Sequence, residues 1–297
     1  MTEPLVVVLG DVMLDVITVL SDEPAHGSDT ASQISLRPGG SAANVAAWLA
    51  DSGTRTAYVG RVGDDETGRQ AIAALREVGV DARVVVDSQR PTGTCVVLVH
   101  PDGERTMFPE VGANAAVSVP DVDEALADLD AASHLHVSGY ALLSGSRDAA
   151  TRALGLARRR GASTSVTCAS AAPLRRVGPS TFLELTVDAR LLFANAEEAE
   201  LLTGRSDPSV AAAELTRSYS DVVVTCGASG AVYAAASRPP VHVPAVPTVA
   251  VDTTGAGDAF AAGFLPSWLA GDDPAEALDA GHRRAARAVA HVGGRPA

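Results

Sequence analysis

Residues 252–258 read Asp-Thr-Thr-Gly-Ala-Gly-Asp and lie between the apolar run Val246 to Val251 and the apolar segment Ala259 to Phe264. This order predicts a strand, a glycine turn and a helix. Small residues at such a turn let successive backbone N–H groups converge on the first turn of the helix, where the helix dipole also favours negative charge. The segment therefore predicts an anion hole that could receive a transferring phosphoryl group.

Asp258 is expected at or just inside the start of that helix, close to the bound anion. It could therefore accept the proton of an attacking hydroxyl group. The alternative is an acidic cap that only stabilises the helix, by about 0.5–2 kcal/mol. A cap leaves unexplained why two glycines and two threonines crowd the same turn, so the pattern favours the catalytic interpretation. The spacing matches neither Gly-x-Gly-x-x-Gly nor the P-loop.

The chain contains no lysine, and all 23 of its basic residues are arginine. This excludes a P-loop enzyme, a protein kinase and a pyridoxal-phosphate enzyme, each of which needs a lysine. A phosphate would have to be bound by backbone N–H groups, arginine or a metal ion. The net charge of -13 also opposes binding to nucleic acid or to an anionic membrane. The composition favours an enzyme that acts on small molecules.

The three cysteines, Cys95, Cys168 and Cys226, are far apart and odd in number. The sequence therefore predicts neither a disulfide framework nor a Cys-x-x-Cys metal site. No basic residue precedes the apolar run Leu5 to Leu9, and no stretch approaches the roughly 18 apolar residues of a membrane span. We therefore expect a cytoplasmic protein that is neither exported nor embedded in a membrane.

Short valine-rich runs, such as residues 5–9 and 222–225, alternate with longer segments of helical spacing. The segments with helical spacing are residues 42–49, 68–78, 147–160, 211–217 and 275–292. Alternation of this kind predicts an α/β fold with a mainly parallel central sheet that is covered on both faces.

Two stretches, about residues 12–38 and 91–110, lack a helical period and contain turn signals such as Pro101-Asp102-Gly103. We expect antiparallel strands that project from the main sheet. The two stretches could pair into a small lid over a cleft, which suits a reaction that must exclude water. A pair of ordinary surface hairpins remains open as the alternative.

The string Asp-Thr-Thr-Gly-Ala-Gly-Asp-Ala-Phe at residues 252–260 resembles the C-terminal signature of the ribokinase-like (PfkB) family of carbohydrate kinases. The resemblance extends through almost the whole chain. It implies a three-layer α/β/α fold, a single kinase domain over residues 1–297, and ATP and Mg²⁺ as cofactors. In that family the residues at Gly255, Ala256 and Gly257 form the anion hole, and the final aspartate, here Asp258, is the catalytic base.

Two further segments resemble the sugar-binding parts of that family. Residues 38–44, Pro-Gly-Gly-Ser-Ala-Ala-Asn, are similar to its N-terminal Gly-Gly motif, which implies that Gly39, Gly40 and Asn44 contact the acceptor. Asp15 occupies the place of the hydroxyl-binding aspartate after the first strand. Taken alone, a glycine turn with a helix cap would explain residues 38–44 equally well, and a lone aspartate after a strand is more often a turn former.

Residues 195–198, Asn-Ala-Glu-Glu, resemble the family motif Asn-x-x-Glu, which positions Mg²⁺ and phosphate largely through water. The resemblance implies that Asn195 serves the nucleotide and Glu198 the metal, although the segment viewed alone favours an Asn cap followed by first-turn acids. The turn at 225–230 is similar to the nucleotide-binding turn of the family, which implicates Thr225, Gly227 and Gly230. His282 matches a position near the adenine, whereas an isolated histidine there would be typical of a helix surface.

The resemblance also implies a monovalent cation site behind the loop. Asp252 would help to hold the cation, together with Thr254, Ala288 and Gly293. Whether K⁺ is required stays open. Lids in this family often pair across a dimer, which implies a homodimer through the lid. Arg105 in the second lid segment could reach an anionic acceptor, but an exposed hairpin arginine is the simpler expectation.

Three positions depart from the family pattern. Ribokinase has an asparagine at the place of Met13 and a sugar-contacting glutamate about where Tyr140 lies, and the stretch around Thr167 lacks an acidic residue that many members carry. A hydroxyl left without its partner costs about 1–3 kcal/mol, enough to alter substrate preference. The departures argue against D-ribose as the acceptor.

The sequence thus predicts an ATP-dependent carbohydrate kinase that transfers the γ-phosphoryl group of MgATP to a hydroxyl of a sugar or sugar-like acceptor. A nucleoside kinase of the same superfamily is the alternative, because Met13 and Tyr140 would suit a stacked base. A nicotinamide-dependent oxidoreductase would need Gly-x-Gly-x-x-Gly after the first strand, where Gly10 stands alone. A sugar-responsive binding protein without turnover is disfavoured by the complete centre around Asp258. The acceptor, the phosphorylated position and the oligomeric state stay open.

Overall fold

The computed structural model of the chain describes residues 4–101, 105–131 and 133–296. The strands in this part of the chain are β1 (Val6–Leu9), β2 (Met13–Leu20), β3 (Ser32–Gly39), β4 (Thr56–Gly63), β5 (Asp81–Asp87), β6 (Thr94–Val99), β7 (Arg105–Glu110), β8 (His134–Val137), β9 (Ser163–Thr167), β10 (Leu191–Asn195), β11 (Asp221–Thr225), β12 (Ala231–Ala235) and β13 (Arg238–Val243).

The α-helices of the same residues are α1 (Ser41–Asp51), α2 (Glu66–Glu77), α3 (Val119–Ala125), α4 (Gly139–Leu142), α5 (Arg147–Arg159), α6 (Ala171–Val177), α7 (Pro179–Leu185), α8 (Ala196–Thr203), α9 (Pro208–Leu215), α10 (Ala256–Ala270) and α11 (Pro274–Val289). Short 3₁₀ helices lie at Gly112–Ala116 and Gly227–Ser229. All five segments with helical spacing form helices, with ends that differ by at most three residues, and the helix predicted after the glycine turn is present as α10.

The main sheet has the strand order β13-β12-β11-β10-β9-β8-β1-β4-β5. The strands from β11 to β5 in that order pair in parallel, whereas β12 and β13 pair antiparallel at one edge. The central strand β1 is buried along its whole length, as a continuous apolar run in a sheet covered on both faces should be. The predicted mainly parallel sheet is confirmed.

Helices cover both faces of this sheet. One face packs against α1, α2, α10 and α11, with Trp48 and Phe264 fully buried between them. The other face packs against helices from α3 to α9, with Leu154 and Phe182 fully buried. This is the predicted three-layer α/β/α architecture. Across the described residues, no helix combines the length and the apolar character needed to cross a membrane.

A second, smaller sheet has the order β3-β2-β6-β7 and is built from the two stretches that lacked a helical period. It consists of two antiparallel hairpins whose inner strands, β2 and β6, run parallel to each other. On β2, the alternate side chains of Met13, Asp15 and Ile17 lie on the buried face of this sheet. The turn predicted at residues 101–103 lies, apart from Pro101, outside the described residues. The action of this sheet as a lid stays a prediction.

The strand predicted at Val246 to Val251 is wrong. The structure has no regular secondary structure at residues 244–250, and the side chain of Val251 is 62% exposed. Pro244 and Pro247 have no N–H to donate to a neighbouring strand, so this apolar run cannot join a central sheet. The loop is tied at its end, where the Val251 N–H donates to the Val289 carbonyl at 2.7 Å.

Candidate active site

The turn before α10 is built around Gly255, the N-cap residue. Gly255 has φ 72°, and a Cβ at this position would lie 2.6 Å from the Cα of Gly294. Any other residue would therefore be strained here. A Cβ on Gly257 would meet no atom within 4 Å, so the first turn is open on this side. As in every helix, the first-turn N–H groups lack an intrahelical partner, which leaves those of Gly257 and Asp258 suited to an anion.

Both carboxylate oxygens of Asp258 accept hydrogen bonds from helix α1. Ser41 Oγ donates to Oδ1 at 2.8 Å, and Asn44 Nδ2 donates to Oδ2 at 2.9 Å. Burial raises the pKa of Asp258 to about 7 against the lowering effect of these two bonds, and the carboxylates of Asp11 and Asp15 raise it further. A carboxyl group with a pKa near neutrality can exchange protons at physiological pH, as a general base must.

The glycine pair at the end of β3 allows this segment to lie close to residues 12–15, at the start of β2. A Cβ on Gly39 would overlap the carboxylate of Asp15, at 2.2–2.5 Å, and one on Gly40, which has φ 90°, would lie 2.6 Å from the Cα of Val12. Asp15 is 5% exposed, and its pKa is raised to about 6, chiefly by burial. Among the sequence-predicted acceptor residues, Asn44 contacts Asp258 directly, the charge of Asp15 acts on Asp258, and Gly39 and Gly40 lie against Asp15 and Val12.

Asp11 is a site residue that sequence reasoning did not assign. Its carboxylate accepts from the N–H of Ser41 at 2.8 Å and from the hydroxyl of Ser138 at 3.0 Å. Asp11 thus supplies the cap that Gly40 cannot give to α1, and it fixes the helix that carries Ser41 and Asn44. The only sequence signal was its position at the end of the first strand.

Asn195 and Glu198 form a reciprocal capping box at the start of α8. The Glu198 N–H donates to Asn195 Oδ1 and the Asn195 N–H donates to Glu198 Oε2, both at 2.8 Å. Glu198 is 5% exposed, and burial raises its pKa to about 7. The structure therefore shows the cap, and it also brings this buried carboxyl into the cleft of Asp258. That cleft has a volume of about 120 Å³, and its lining includes Ser41, Asn195, Glu198, Thr225, Asp258 and Phe260.

Of the other predicted nucleotide residues, Thr225 lines this cleft. Gly230 and His282 both lie against Val243 outside that lining. A Cβ on Gly230, which has φ 103°, would lie 2.1 Å from the Val243 carbonyl oxygen, and His282 Nε2 lies 3.1 Å from the same oxygen. His282 is 5% exposed and packs edge-on against Phe260, so it is no surface histidine. Gly227 lies exposed at the start of the 3₁₀ turn.

The loop before the glycine turn is organised by Asp252. Its Oδ1 accepts from the Thr254 N–H at 2.9 Å, and its Oδ2 accepts from the Gly293 N–H at 2.9 Å. The structure thus joins three of the four predicted cation-site residues. The fourth, Ala288, is buried inside α11, where its carbonyl accepts from the His291 N–H at 3.5 Å. No contact among the described residues joins Ala288 to Asp252.

The expectation of an exposed hairpin arginine is wrong for Arg105. Its side chain is 24% exposed and extends from β7 to the loop before α10, where Nη1 donates to Asp252 Oδ1 at 2.7 Å. It also donates to the hydroxyls of Thr253 and Thr254. The small sheet therefore carries a cation that contacts the loop of the anion hole.

Tyr140 and Met13, which depart from the family pattern, both border the site. Burial raises the pKa of Tyr140 to about 12, its hydroxyl is hydrogen-bonded with Ser170, and the charges of Asp258 and Glu198 act on it. Met13 Sδ accepts from Asn114 Nδ2 at 3.3 Å. The described residues contain no group of three or more His, Cys, Asp or Glu side chains that could hold a metal ion without other ligands.

An open helix start beside a carboxyl group of near-neutral pKa, at the carboxyl ends of the parallel strands β9, β10 and β11, is the arrangement expected of a phosphotransferase with an alcohol group as acceptor. Comparison with known proteins agrees. The profile of the pfkB family carbohydrate kinases matches residues 3–297. The chain therefore belongs to the pfkB family of carbohydrate kinases, as the sequence motifs predicted, and is an ATP-dependent enzyme of that type.

Individual relatives are similar over most of their length. An ATP-dependent ribose-1-phosphate kinase of Halopiger xanaduensis is 35% identical over 264 residues, which are 87% of this chain and 82% of the relative. The structure of adenosine kinase from Sinorhizobium meliloti has a TM-score of 0.84 and 29% identity, covering 99% of this chain and 95% of that one. A double-mutant fructokinase from Vibrio cholerae O395, solved with fructose, ADP and potassium ion bound, has a TM-score of 0.82 and 25% identity, covering 99% and 94%.

Proposed function

We propose that this kinase transfers the γ-phosphoryl group of ATP to a hydroxyl of a sugar or sugar-like acceptor, with Asp258 as the general base. The observation that carries the proposal is the position of the Asp258 carboxylate, held by Ser41 and Asn44 at the first turn of α10. Its pKa of about 7 lets it take the proton of the acceptor hydroxyl near neutral pH.

The anion hole would lie at the turn Gly255, Ala256 and Gly257 and would use mainly the N–H groups of Gly257 and Asp258, since the Ala256 N–H donates to the Thr253 carbonyl at 3.3 Å. No lysine is present to neutralise the phosphates, so preorganised N–H groups and the helix dipole have to stabilise the charge that develops on the transferring group. The open space beside Gly257 leaves room for that group at the helix start.

The acceptor would bind between Asp15, Gly39, Gly40 and Asn44. Both glycines are sterically required, because side chains there would overlap Asp15 and Val12. The buried carboxylate of Asp15 can accept hydrogen bonds from two hydroxyl groups, and the Asn44 amide can bind a third. A polyhydroxylated compound suits this set of groups.

MgATP would bind across the cleft, with Glu198 and Asn195 towards the metal and Thr225, Gly227, Gly230 and His282 towards the nucleotide. The donor set fits Mg²⁺, because Glu198 and Asn195 offer the oxygen ligands that this ion prefers. A cation there would also lower the raised pKa of the buried Glu198 carboxyl. The capping box already engages Asn195 Oδ1 and Glu198 Oε2, which supports contact with the metal through water. Mg²⁺ held there would supply positive charge that neutralises the phosphate groups.

A monovalent cation would bind at Asp252, Thr254 and Gly293, with Ala288 as the less supported member. The fructokinase structure that contains potassium is similar over nearly the whole chain. In this protein the Arg105 guanidinium already contacts Asp252, so a cation and Arg105 would compete for the same carboxylate.

The small sheet would act as the lid of a single kinase domain. Its outer face exposes Ile34, Leu36 and Phe108, each more than half exposed, whereas Met107 lies on the opposite face. Apolar area of this kind supports a homodimer through the lid. The free thiols of all three cysteines support a cytoplasmic location.

The nucleoside kinase stays as the second candidate. The similarity to an adenosine kinase and the apolar Met13 beside the site support it.

An ADP-release screen tests both candidates. Sugars, sugar phosphates, sugar acids and nucleosides are offered with MgATP, and phosphorylated product is identified by mass spectrometry. We expect one of the first three groups to give ADP and product in equal amounts. A preference for nucleosides would replace the first candidate by the second. If none of the offered compounds caused ADP release, both candidates would be contradicted.

A further inference from the structure

Residues 293–295, which follow helix α11, lie inside the active site. The Gly294 carbonyl accepts from Trp48 Nε1 at 2.9 Å, and a Cβ on Gly294 would lie 2.5 Å from Asn44 Nδ2. Gly294 also lies against Gly255, the N-cap residue of the anion-hole helix. This segment therefore packs between the two helices that carry Asn44 and Asp258, and it places Arg295 beside them.

Arg295 is a buried cation, with only 8% of its surface exposed. Its Nη2 donates to the Gly39 carbonyl at 2.9 Å, and its Nε donates to Asn44 Oδ1 at 3.3 Å. Burial lowers the pKa of Arg295 to about 10, so the guanidinium remains charged at neutral pH. The nearby carboxylates of Asp15 and Asp11 offset part of the cost of burying that charge.

The contact with Arg295 decides which way the Asn44 amide points. A guanidinium can only donate, so the Asn44 atom that faces it must be the oxygen Oδ1. The other end of the amide, Nδ2, then faces Asp258 and donates to Oδ2 at 2.9 Å. With the amide reversed, Asn44 would present an oxygen to a carboxylate and a donor to a cation, and both contacts would be repulsive.

We propose that Arg295 is a positioning residue of the phosphoryl transfer: it fixes the Asn44 amide so that Asn44 donates to the base Asp258. The inference rests on the proposed function, in which Asp258 takes the proton of the acceptor. Arg295 touches neither substrate nor phosphate in this role and acts through Asn44 alone.

The kinetic test compares Arg295→Met and Arg295→Lys with the control Arg283→Met, an exposed arginine of α11 that is paired with Asp279. Lysine keeps the positive charge beside Asp15 but lacks the branched guanidinium group that donates to Gly39 and Asn44 at the same time. We expect both Arg295 variants to lower kcat by about 10- to 100-fold, the effect of one lost charge-assisted hydrogen bond, and the control to stay within about twofold.

The double variant with Asn44→Ala separates positioning from general stability. If Arg295 acts through Asn44, Arg295→Lys lowers kcat by less than about twofold once Asn44 is absent, because coupled residues are not additive. An equal loss in both backgrounds, or a kcat of Arg295→Lys within about twofold of the original protein, would overturn the proposal.

A titration that needs no turnover keeps this proposal distinguishable from the proposed function. The Asp258 carboxyl is followed by ¹³C NMR in aspartate-labelled protein and assigned with Asp258→Asn. We expect its pKa to rise in Arg295→Lys, since a hydrogen bond to the ionised form is lost. An unchanged titration overturns the role of Arg295, even if no acceptor is ever found. Among the described residues, the charged or titratable groups around Asp258 are Asp11, Asp15, Tyr140, Glu198 and the thiol of Cys168, and Arg295→Lys removes none of them.

Discussion

Removing the Ser41 hydroxyl should raise the pKa of Asp258 and move the acid limb of kcat/KM to higher pH. Ser41 Oγ donates to Asp258 Oδ1 at 2.8 Å and so stabilises the ionised carboxylate. In Ser41→Ala this bond is lost while the Asn44 bond to Oδ2 remains. The carboxylate then holds its proton more tightly, and a base that is protonated cannot take the proton of the acceptor.

The size of the shift follows from the strength of the bond. A hydrogen bond to a charged group contributes about 1.5–3 kcal/mol, and about 1.4 kcal/mol corresponds to one pKa unit. Because Asn44 still donates to Asp258, we take the lower end of this energy range. The acid limb of kcat/KM should therefore move from about pH 7 to about one pH unit higher. At pH 6 the variant should be about tenfold slower than the original protein, and at pH 9 the two rates should nearly agree.

The assay is kcat/KM for the best acceptor between pH 5.5 and 9 at saturating MgATP, because this parameter reports the free enzyme. Ser52→Ala is the matched control, since Ser52 caps the far end of the same helix by donating to the Leu49 carbonyl. The assignment of the titration to Asp258 would be refuted if the acid limb of Ser41→Ala coincided with that of the control. It would also be refuted if the acid limb of Ser41→Ala moved to lower pH.

Three further predictions concern the carboxyl groups and cation of the site. The free energy of unfolding of Asp258→Asn in urea should be about 2 kcal/mol higher than that of the original protein at pH 8, and the two should be equal near pH 4. The reason is that the pKa of Asp258 is raised in the folded state, so the original protein loses stability as pH rises from about 4 through 7. Partial contact of Asp258 with solvent keeps the difference below the full linkage value. Equal stability at pH 8 would contradict this. Glu198→Gln should raise the Mg²⁺ concentration needed for half-maximal rate by about tenfold, whereas the exposed neighbour Glu197→Gln should not; equal Mg²⁺ curves would remove the metal role. Arg105→Gln should lower the K⁺ concentration at half-saturation by freeing Asp252, and an unchanged K⁺ titration would exclude that competition.

The layers of the fold were predictable because local pattern and tertiary position agree. Strand β1 is apolar at every position and is buried on both sides, and the five predicted helices carry apolar residues at helical spacing. The strand prediction at 246–251 was wrong because the valines give a strand pattern, whereas Pro244, Pro247 and the exposure of Val251 are typical of a surface segment.

From the residues alone, the candidate site was predictable only where its members are neighbours in sequence; distant members such as Asn44 and Gly293 were assigned through the family resemblance. Asp258 lies within the glycine turn that it serves, and Asn195 with Glu198 follows the spacing of a capping box. Arg105 lies 147 residues from Asp252, and Arg295 lies 251 residues from Asn44. Their contacts arise from the packing of the small sheet and of residues 293–295, and no local pattern in one sequence reports such distances.

The most direct test of the account compares Asp258→Asn with Asp279→Asn, an exposed aspartate of α11 that is paired with Arg283. Phosphorylated acceptor is quantified at saturating MgATP and acceptor, at pH 8, after folding of both variants has been checked. Loss of a general base lowers kcat by about 10²–10⁴-fold, so we expect that loss in Asp258→Asn and a rate within about twofold of the original protein in Asp279→Asn. Equal rates in the two variants would contradict the assignment of Asp258 as the base.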